Sequence, residues 1–225
     1  MSGVVSRPPD GVLAVQVLVL AKEPVAGAVK TRLCPPLTPT SAAAVAAAAL
    51  EDTLDVVRAV PVARRVLVLD GVYTAAGFDL QPQVDGPMDV RLGAAFDDAA
   101  AASDLPALLV GMDTPQLTPA LLSAAARALL ASPAVLGRAP DGGWWALGLQ
   151  RPDGALLRGV VTSRDDTGAV QLARLVCAGL APVLLPELRD VDTADDARVV
   201  AALAPHGRFA AVLFAQLATP DGPAA

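Results

Sequence analysis

The feature that most constrains the fold is the alternation of short apolar runs with longer segments of helical spacing. The first run, Val12 to Leu20, is rich in β-branched residues and almost continuously apolar, which is typical of a strand buried on both faces. Similar runs follow at "RVLVLD", "PALLVG", "PAVLGR", "WWALGLQ" and "PVLLP", with alanine-rich segments between several of them. Strands that alternate with helices predict an α/β fold with a mostly parallel sheet and helices on both faces.

The starts of two predicted helices are marked by capping residues. One helix is expected to begin near Thr38 or Thr40 and to end at about Val60, and Thr118 is expected to cap another with Pro119 at its first position. Further helical segments are predicted at 90–102, at 167–177, from the acidic turn near 190 to 202, and at 207–218.

Composition sets the size and excludes several classes of partner. The chain has 225 residues, 54% of them hydrophobic, so we expect one domain over 11–218 with flexible ends at 1–10 and 219–225. A net charge of −6 and only 3% aromatic residues argue against a nucleic-acid partner. The first apolar run is too short to span a bilayer, and we expect a cytoplasmic protein with no membrane partner. Cys34 and Cys177 have neither zinc-ligand spacing nor an indicated disulfide.

The loop after the first predicted strand, "AKEPVAGAVKTRL", carries both lysines of the chain, Lys22 and Lys30, close to Arg32. These cationic groups are suited to phosphate oxygens, and Gly27 with its small neighbours lets the backbone turn close to a ligand. The loop has neither the Walker pattern nor the glycine pattern of a dinucleotide site. A solvated charged loop is the alternative interpretation.

Carboxylates follow later strands, at the positions where ligands of a parallel sheet bind. Asp113 comes after "PALLVGM", and Asp190 and Asp192 come after "PVLLPELR". Asp113 either closes a turn through its side chain or binds Mg²⁺ or Mn²⁺ together with substrate phosphate. Asp192 either begins a helix or is a second metal ligand.

The hairpin "PDGGWWALGL" combines Asp141, Gly142 and Gly143 with the only two tryptophans of the chain. Two adjacent glycines allow a planar group or a ribose to approach the backbone. Trp144 and Trp145 point to opposite faces of a strand, so we expect one ring in the core and the other at the cleft. Core packing and ligand stacking both stay open for either ring.

In chain order, "AKEPVAGAVKTRL", "VGMDTPQLTPALL", "APDGGWWALGL" and "LRDVDTADD" resemble motifs of a glycosyltransferase-A-like family of transferases. That family is related to 2-phospho-lactate guanylyltransferases and molybdenum-cofactor nucleotidyltransferases, and the resemblance extends from about Val12 to Ala202. It implies a Rossmann-like sheet of the nucleotide-diphospho-sugar transferase type, with a nucleotide in the cleft and Mg²⁺ or Mn²⁺ at its phosphates. The G-x-G-x-R-M motif of better known nucleotidyltransferases is absent, so no base specificity is implied.

The same resemblance implies a role for individual residues. The implied nucleotide- and phosphate-binding residues are Lys22, Gly27, Lys30, Arg32, Asp141, Gly142 and Gly143. The implied metal ligands are Asp113 and Asp192, and the implied catalytic groups are Lys30, Arg32 and Asp113. The implied acceptor contacts are Trp145 and, within "TSRDDTGAV", Ser163 and Thr167.

These expectations favour a metal-dependent nucleotidyltransferase that moves an NMP from an NTP to a small phosphorylated acceptor. Glycosyl transfer from a nucleotide-diphospho-sugar is the first alternative, and a non-catalytic nucleotide-binding protein is the second. Positioning and charge neutralisation can carry such a transfer, so the presence of one histidine, His206, is no objection to it.

Overall fold

A computed structural model describes residues 11–218, and the flexible ends predicted at 1–10 and 219–225 lie outside these residues. The strands are β1 (Leu13–Lys22), β2 (Val62–Asp70), β3 (Asp79–Pro82), β4 (Ala107–Gly111), β5 (Ala134–Arg138), β6 (Trp144–Leu149) and β7 (Val183–Leu185). The helices are α1 (Pro39–Ala59), α2 (Met88–Ala102), α3 (Pro119–Ala131), α4 (Thr167–Cys177), α5 (Ala194–Leu203) and α6 (Arg208–Ala218).

The strands form one sheet in the order β3-β2-β1-β4-β6-β5-β7. The pairs β1–β2, β1–β4, β2–β3 and β5–β7 are parallel, whereas β6 runs antiparallel to both β4 and β5. The predicted mostly parallel α/β sheet is therefore confirmed. Because β6 is reversed, its first residues lie at the same edge as the carboxyl ends of β1 and β4.

Helices cover both faces of this sheet because side chains alternate along its strands. On β1, Val17 and Val19 pack into a cluster that includes Leu50 of α1. Leu18, between them, packs on the opposite face with Phe96 of α2. Covering helices on both faces, as the sequence predicts, follow directly from this alternation.

A third apolar cluster joins the loop after β1 to the C-terminal helices. Leu33, Val191 and Phe209 are buried together in it, and Val45 of α1 lies in the same cluster. The basic loop is thereby anchored to the end of the chain through apolar packing.

The two predicted helix caps are confirmed. Thr38 accepts a hydrogen bond from the Ser41 N–H at the start of α1, and Thr118 accepts one from the Leu121 N–H at the start of α3. Each helix has a proline in its first turn, where the missing N–H would have had no helical partner.

Within residues 11–218, no helix combines the length and the apolarity needed to cross a membrane. Cys34 and Cys177 are both free thiols.

Candidate functional site

The basic loop leaves the sheet at Lys22, the last residue of β1. Gly27, with a φ of 78°, allows the chain to turn back, and a 3₁₀ turn at Thr31–Leu33 ends the loop. Lys30 precedes that turn in the left-handed region, with a φ of 48°, a conformation that non-glycine residues adopt at some cost. The backbone thus holds Lys30 in a strained conformation that points it across the site.

Lys30 connects the loop to two later segments of the chain. Its Nζ lies 2.6 Å from Asp113 Oδ1 and 3.8 Å from Asp192 Oδ1, and it donates a hydrogen bond of 2.5 Å to the Val191 carbonyl. The Lys30 side chain is only 11% exposed. Arg32 is 69% exposed and pairs with Asp192 at 3.0 Å. The predicted catalytic groups therefore do lie together.

Hydrogen bonds hold the C-terminal segment 189–192 beside the end of β4. The Val191 N–H donates to the Asp113 carbonyl at 2.9 Å, and Gln116 Nε2 donates to the Arg189 carbonyl at 2.5 Å. These contacts fix the spacing between Asp113 and the carboxylates of 190–192.

Two cavities open at this edge of the sheet. The first, which we call the cation cavity, has a volume of about 310 Å³ and is lined by Lys22, Lys30 and Arg32. The second, which we call the acidic cavity, has a volume of about 240 Å³ and is lined by Asp113, Asp141, Asp190 and Asp192. Residues that line both are Asp113, Ser163 and Asp192.

Three carboxylates of the acidic cavity could hold a metal ion. Asp141, Asp190 and Asp192 each offer one oxygen, and these atoms lie within 4.8 Å of one another. Burial raises the pKa of Asp190 to about 6, and the neighbouring charges of Asp141, Asp192 and Asp113 add to this effect. Carboxylate oxygens are the ligands that Mg²⁺ and Mn²⁺ prefer, so this donor set fits the predicted cofactor.

The structure differs from the predicted pair of ligands, Asp113 and Asp192. Asp192 belongs to the trio, but Asp113 pairs with Lys30 and is absent from the trio. Asp190 was not predicted as a ligand. The signal for it was the spacing Asp190-x-Asp192 in an extended segment, which directs both side chains to one side.

Gly142 of the hairpin makes room for another part of the chain. A Cβ on Gly142, whose φ is 92°, would lie 1.8 Å from the Asp165 carbonyl oxygen. The Gly168 N–H donates to the Gly142 carbonyl at 2.7 Å, which ties the start of α4 to the hairpin. Gly143 and Asp141 line the acidic cavity and not the cation cavity. The nucleotide and phosphate contacts predicted for 141–143 stay a prediction.

The predicted acceptor residues Ser163 and Thr167 lie at the acidic cavity but differ in availability. Ser163 is exposed, has a φ of 61° and lines both cavities. Thr167 is only 4% exposed, because its hydroxyl donates to the Val161 carbonyl at 3.1 Å and accepts from the Arg164 N–H at 3.2 Å. Thr167 therefore holds the turn that presents Ser163.

The two tryptophans separate as the strand pattern predicts, and Trp144 is the more exposed of the two. Trp145 is 3% exposed, its Nε1–H donates to the Pro186 carbonyl at 3.0 Å, and its indole packs against Gly137. Trp144 is half-buried and lines the acidic cavity. Trp145 lines this cavity as well, so its predicted acceptor contact stays a prediction, and Trp144 is a second candidate for it.

A family profile matches residues 42–164; the family is described as an uncharacterized protein conserved in bacteria, DUF2064. The chain belongs to this family. The matched segment contains Asp113, the hairpin and Ser163, whereas the basic loop and residues 189–192 lie outside it. No curated protein matches the chain.

Solved structures confirm the type of fold. A protein of Desulfovibrio desulfuricans G20, provisionally described as a nucleotide-diphospho-sugar transferase, is similar with a TM-score of 0.82 and 21% identity over 91% of this chain and 96% of that one. Rv0371c of Mycobacterium tuberculosis H37Rv, in complex with manganese, gives a TM-score of 0.53 and 25% identity over 84% and 98%. A 4-diphosphocytidyl-2C-methyl-D-erythritol synthase gives 0.51 and 16% over 84% and 97%. The predicted relation to 2-phospho-lactate guanylyltransferases stays a prediction.

Proposed function

We propose that this protein is a metal-dependent nucleotidyltransferase that moves an NMP from an NTP to a small acceptor. The observation that carries the proposal is the pair of adjoining cavities at one edge of the sheet, one lined by cations and the other by carboxylates. They share Asp113, Ser163 and Asp192. A donor phosphate chain in the first cavity would meet an acceptor in the second at these shared residues.

The cation cavity is assigned to the phosphates of the donor. Lys22, Lys30 and Arg32 supply cationic donors that charge-assisted hydrogen bonds to phosphate require. Lys30 and Arg32 are paired with Asp113 and Asp192 in the described structure. Binding phosphate on the same cations therefore requires that another positive charge compensate these carboxylates.

Mg²⁺ or Mn²⁺ would be held by Asp141, Asp190 and Asp192, with Asp113 alongside, and would neutralise phosphate charge there. The manganese complex of Rv0371c supports this choice of ion. Lys30 and Arg32 would then be released towards the phosphates. In this arrangement metal and nucleotide bind cooperatively, because each makes the site more favourable for the other.

Glycosyl transfer is the second candidate, and one observation favours it. The Desulfovibrio desulfuricans protein, with a TM-score of 0.82, is provisionally described as a nucleotide-diphospho-sugar transferase. A diphosphate would use the same cations and carboxylates, and the bond broken would be the one between the sugar and the diphosphate.

The test is calorimetric titration of the four NTPs and common nucleotide sugars, with and without Mn²⁺, followed by assays of released pyrophosphate and nucleoside diphosphate. We expect metal-dependent binding of an NTP and an affinity about 10- to 100-fold lower for Lys30→Ala, the effect of losing one or two charged hydrogen bonds. Arg127→Ala, which removes an exposed cation of α3, is the matched control and should bind normally.

The outcomes separate the candidates. Pyrophosphate release with an acceptor present supports nucleotidyl transfer, and release of nucleoside diphosphate from a nucleotide sugar supports glycosyl transfer. Unchanged affinity in Lys30→Ala, with an unchanged melting temperature, would contradict the phosphate assignment. Metal-dependent binding without turnover would favour the non-catalytic alternative.

A further inference from the structure

The acidic cavity differs from the cation cavity in lacking positive charge on its walls. Within residues 11–218, no lysine or arginine lines it, whereas four aspartates do. With the donor phosphates on Lys30 and Arg32, a divalent ion held by Asp141, Asp190 and Asp192 would offset only half of the charge of the four carboxylates. A second phosphate in the acidic cavity would therefore still face net negative charge. Juxtaposed like charges cost several kcal/mol at a binding site.

A buried hydroxyl in the same cavity has no partner. Thr114 follows Asp113, is 2% exposed and lines the acidic cavity. Its Oγ1 is buried and makes no hydrogen bond within the described part of the chain. Leaving a buried polar group unsatisfied is unfavourable, so an unpaired hydroxyl in the lining of a cavity points to a polar group on a ligand.

One part of the wall is apolar. Leu20 and Leu109 contribute from β1 and β4, Met88 and Leu92 from α2, and Trp144 from the start of β6. An aromatic ring and aliphatic side chains favour a ligand with an apolar or ring-shaped body.

On the basis of the transferase function proposed above, we propose that the acceptor bound in the acidic cavity is an uncharged alcohol with an apolar or ring-shaped body. This replaces the phosphorylated acceptor expected from the sequence. Its body lies against Trp144 and the α2 side chains, and its polar groups reach Thr114 and the carboxylates.

The transfer balances with such an acceptor. The alcohol oxygen forms a bond to the α-phosphorus of the NTP as the bond from that phosphorus to the bridging oxygen breaks. Pyrophosphate leaves with the electron pair of the broken bond. The hydroxyl proton passes to a carboxylate of the acidic cavity and from there to water.

The test uses matched pairs of a free alcohol and its phosphate ester: benzyl alcohol with benzyl phosphate, cyclohexanol with cyclohexyl phosphate, and glucose with glucose 1-phosphate. Each is titrated at neutral pH with Mg²⁺ while tryptophan fluorescence is recorded. Trp144 lines the acidic cavity but not the cation cavity, so its emission reports the acceptor site. Trp145 also lines this cavity but is 3% exposed, and it remains in the Trp144→Phe variant. The part of the fluorescence change that is lost in this variant is therefore the part that Trp144 reports.

We expect the alcohols to bind and the esters to bind at least about tenfold more weakly. Asp141→Asn should reduce the difference in affinity between alcohol and ester several-fold, because it removes one negative charge from the cavity. The amide oxygen of the new side chain can still accept from the Gly143 N–H, as Asp141 does at 2.8 Å. Asp104→Asn is the charge-matched control, since Asp104 is exposed at the opposite end of β4, and it should leave the difference unchanged.

An ester that binds as tightly as its alcohol, or the failure of all three alcohols to bind, overturns the proposal. Nucleotide binding is measured by calorimetry on the same protein samples. Loss of nucleotide binding with the alcohol preference intact would count against the transferase function alone. Nucleotide binding with an ester preference would count against the acceptor alone.

Discussion

The cation cavity and the acidic cavity share three lining residues, but their other charged residues have opposite signs. In the cation cavity, Lys30 and Arg32 are each paired with a carboxylate, at 2.6 and 3.0 Å. In the acidic cavity, Asp141, Asp190 and Asp192 crowd together, and burial followed by their mutual repulsion raises the pKa of Asp190 to about 6. Lys30 and Arg32 are balanced by Asp113 and Asp192, whereas no salt bridge within residues 11–218 compensates Asp141 or Asp190. One site therefore contains cationic groups placed to bind an anion and carboxylates placed to bind a cation.

The largest effect is expected where the acidic cavity is built, at Gly142. A Cβ there would lie 1.8 Å from the Asp165 carbonyl oxygen, at a φ of 92°. We expect Gly142→Ala to destabilise the protein by about 3 kcal/mol, from steric overlap and backbone strain together. Urea unfolding measures this.

The matched control for that variant is Gly77→Ala. Gly77 has a φ of 81°, but nothing lies within 4 Å of its Cβ position, so only backbone strain remains, costing about 1 kcal/mol. Equal losses in the two variants would show that the hairpin and residue 165 are not in firm contact.

The next largest effect concerns metal affinity. Asp192→Asn removes one charge of the trio, and we expect Mn²⁺ to bind about 10- to 100-fold more weakly in calorimetric titration. Asp195→Asn is the control, because the Asp195 side chain is 93% exposed and pairs with Arg198. If both variants bind Mn²⁺ like the original protein, the metal site lies elsewhere.

A smaller effect is expected from relieving the crowding of the carboxylates. The pKa of Asp190 rises from 3.8 to about 6 on folding, so ionised Asp190 opposes folding above that range, and stability increases as the pH falls through it. Without metal, Asp190→Asn should stabilise the protein near pH ~8 by about 1 kcal/mol, allowing for partial solvent screening.

That gain should shrink steadily as the pH falls from 6 towards 4, because the native side chain becomes neutral over that window. Thermal unfolding in a chelator across this range measures it. A gain that is the same at every pH would exclude titration of Asp190 as its cause.

The smallest effect concerns Ser163, on the border between the cavities. Its φ of 61° favours glycine, so Ser163→Gly should stabilise the protein by about 0.5–1 kcal/mol, provided that the added freedom of the unfolded chain does not offset it. Ser163→Ala keeps the strained backbone and loses only the hydroxyl, so it should show no such gain in thermal unfolding. Identical melting temperatures for the two variants would argue against strain at this position.

Much of the fold could be predicted from the sequence because its signals are local. The β-branched runs of β1 and β2 and the caps Thr38 and Thr118 depend on neighbouring residues, and all were confirmed. The strand β3, Asp79–Pro82, was not predicted. It is short, mostly exposed and contains proline, and it exists because β2 offers it an edge to pair with.

The candidate site was only partly predictable, because strand ends indicate which edge a residue occupies but not which residues touch. The sequence placed Asp113 and Asp192 at the correct edge, yet the partner of Asp113 is Lys30 and the partners of Asp192 include Asp190. The hairpin signal predicted the reversal of β6, but no local signal shows that Asp141 meets Asp190 and Asp192. The glycine at 142 correctly predicted that another group approaches the backbone closely, but that group is the Asp165 carbonyl of the chain itself.

The bond between Lys30 and the Val191 carbonyl joins residues that are 161 positions apart. During synthesis, the basic loop leaves the ribosome long before the segment that completes its site. The N-terminal half alone therefore has cations and no carboxylates of 190–192 to pair with them. A nascent chain that ends before Val191 should have no assembled site. Ligand binding should therefore begin only after residues 189–192 have been synthesised.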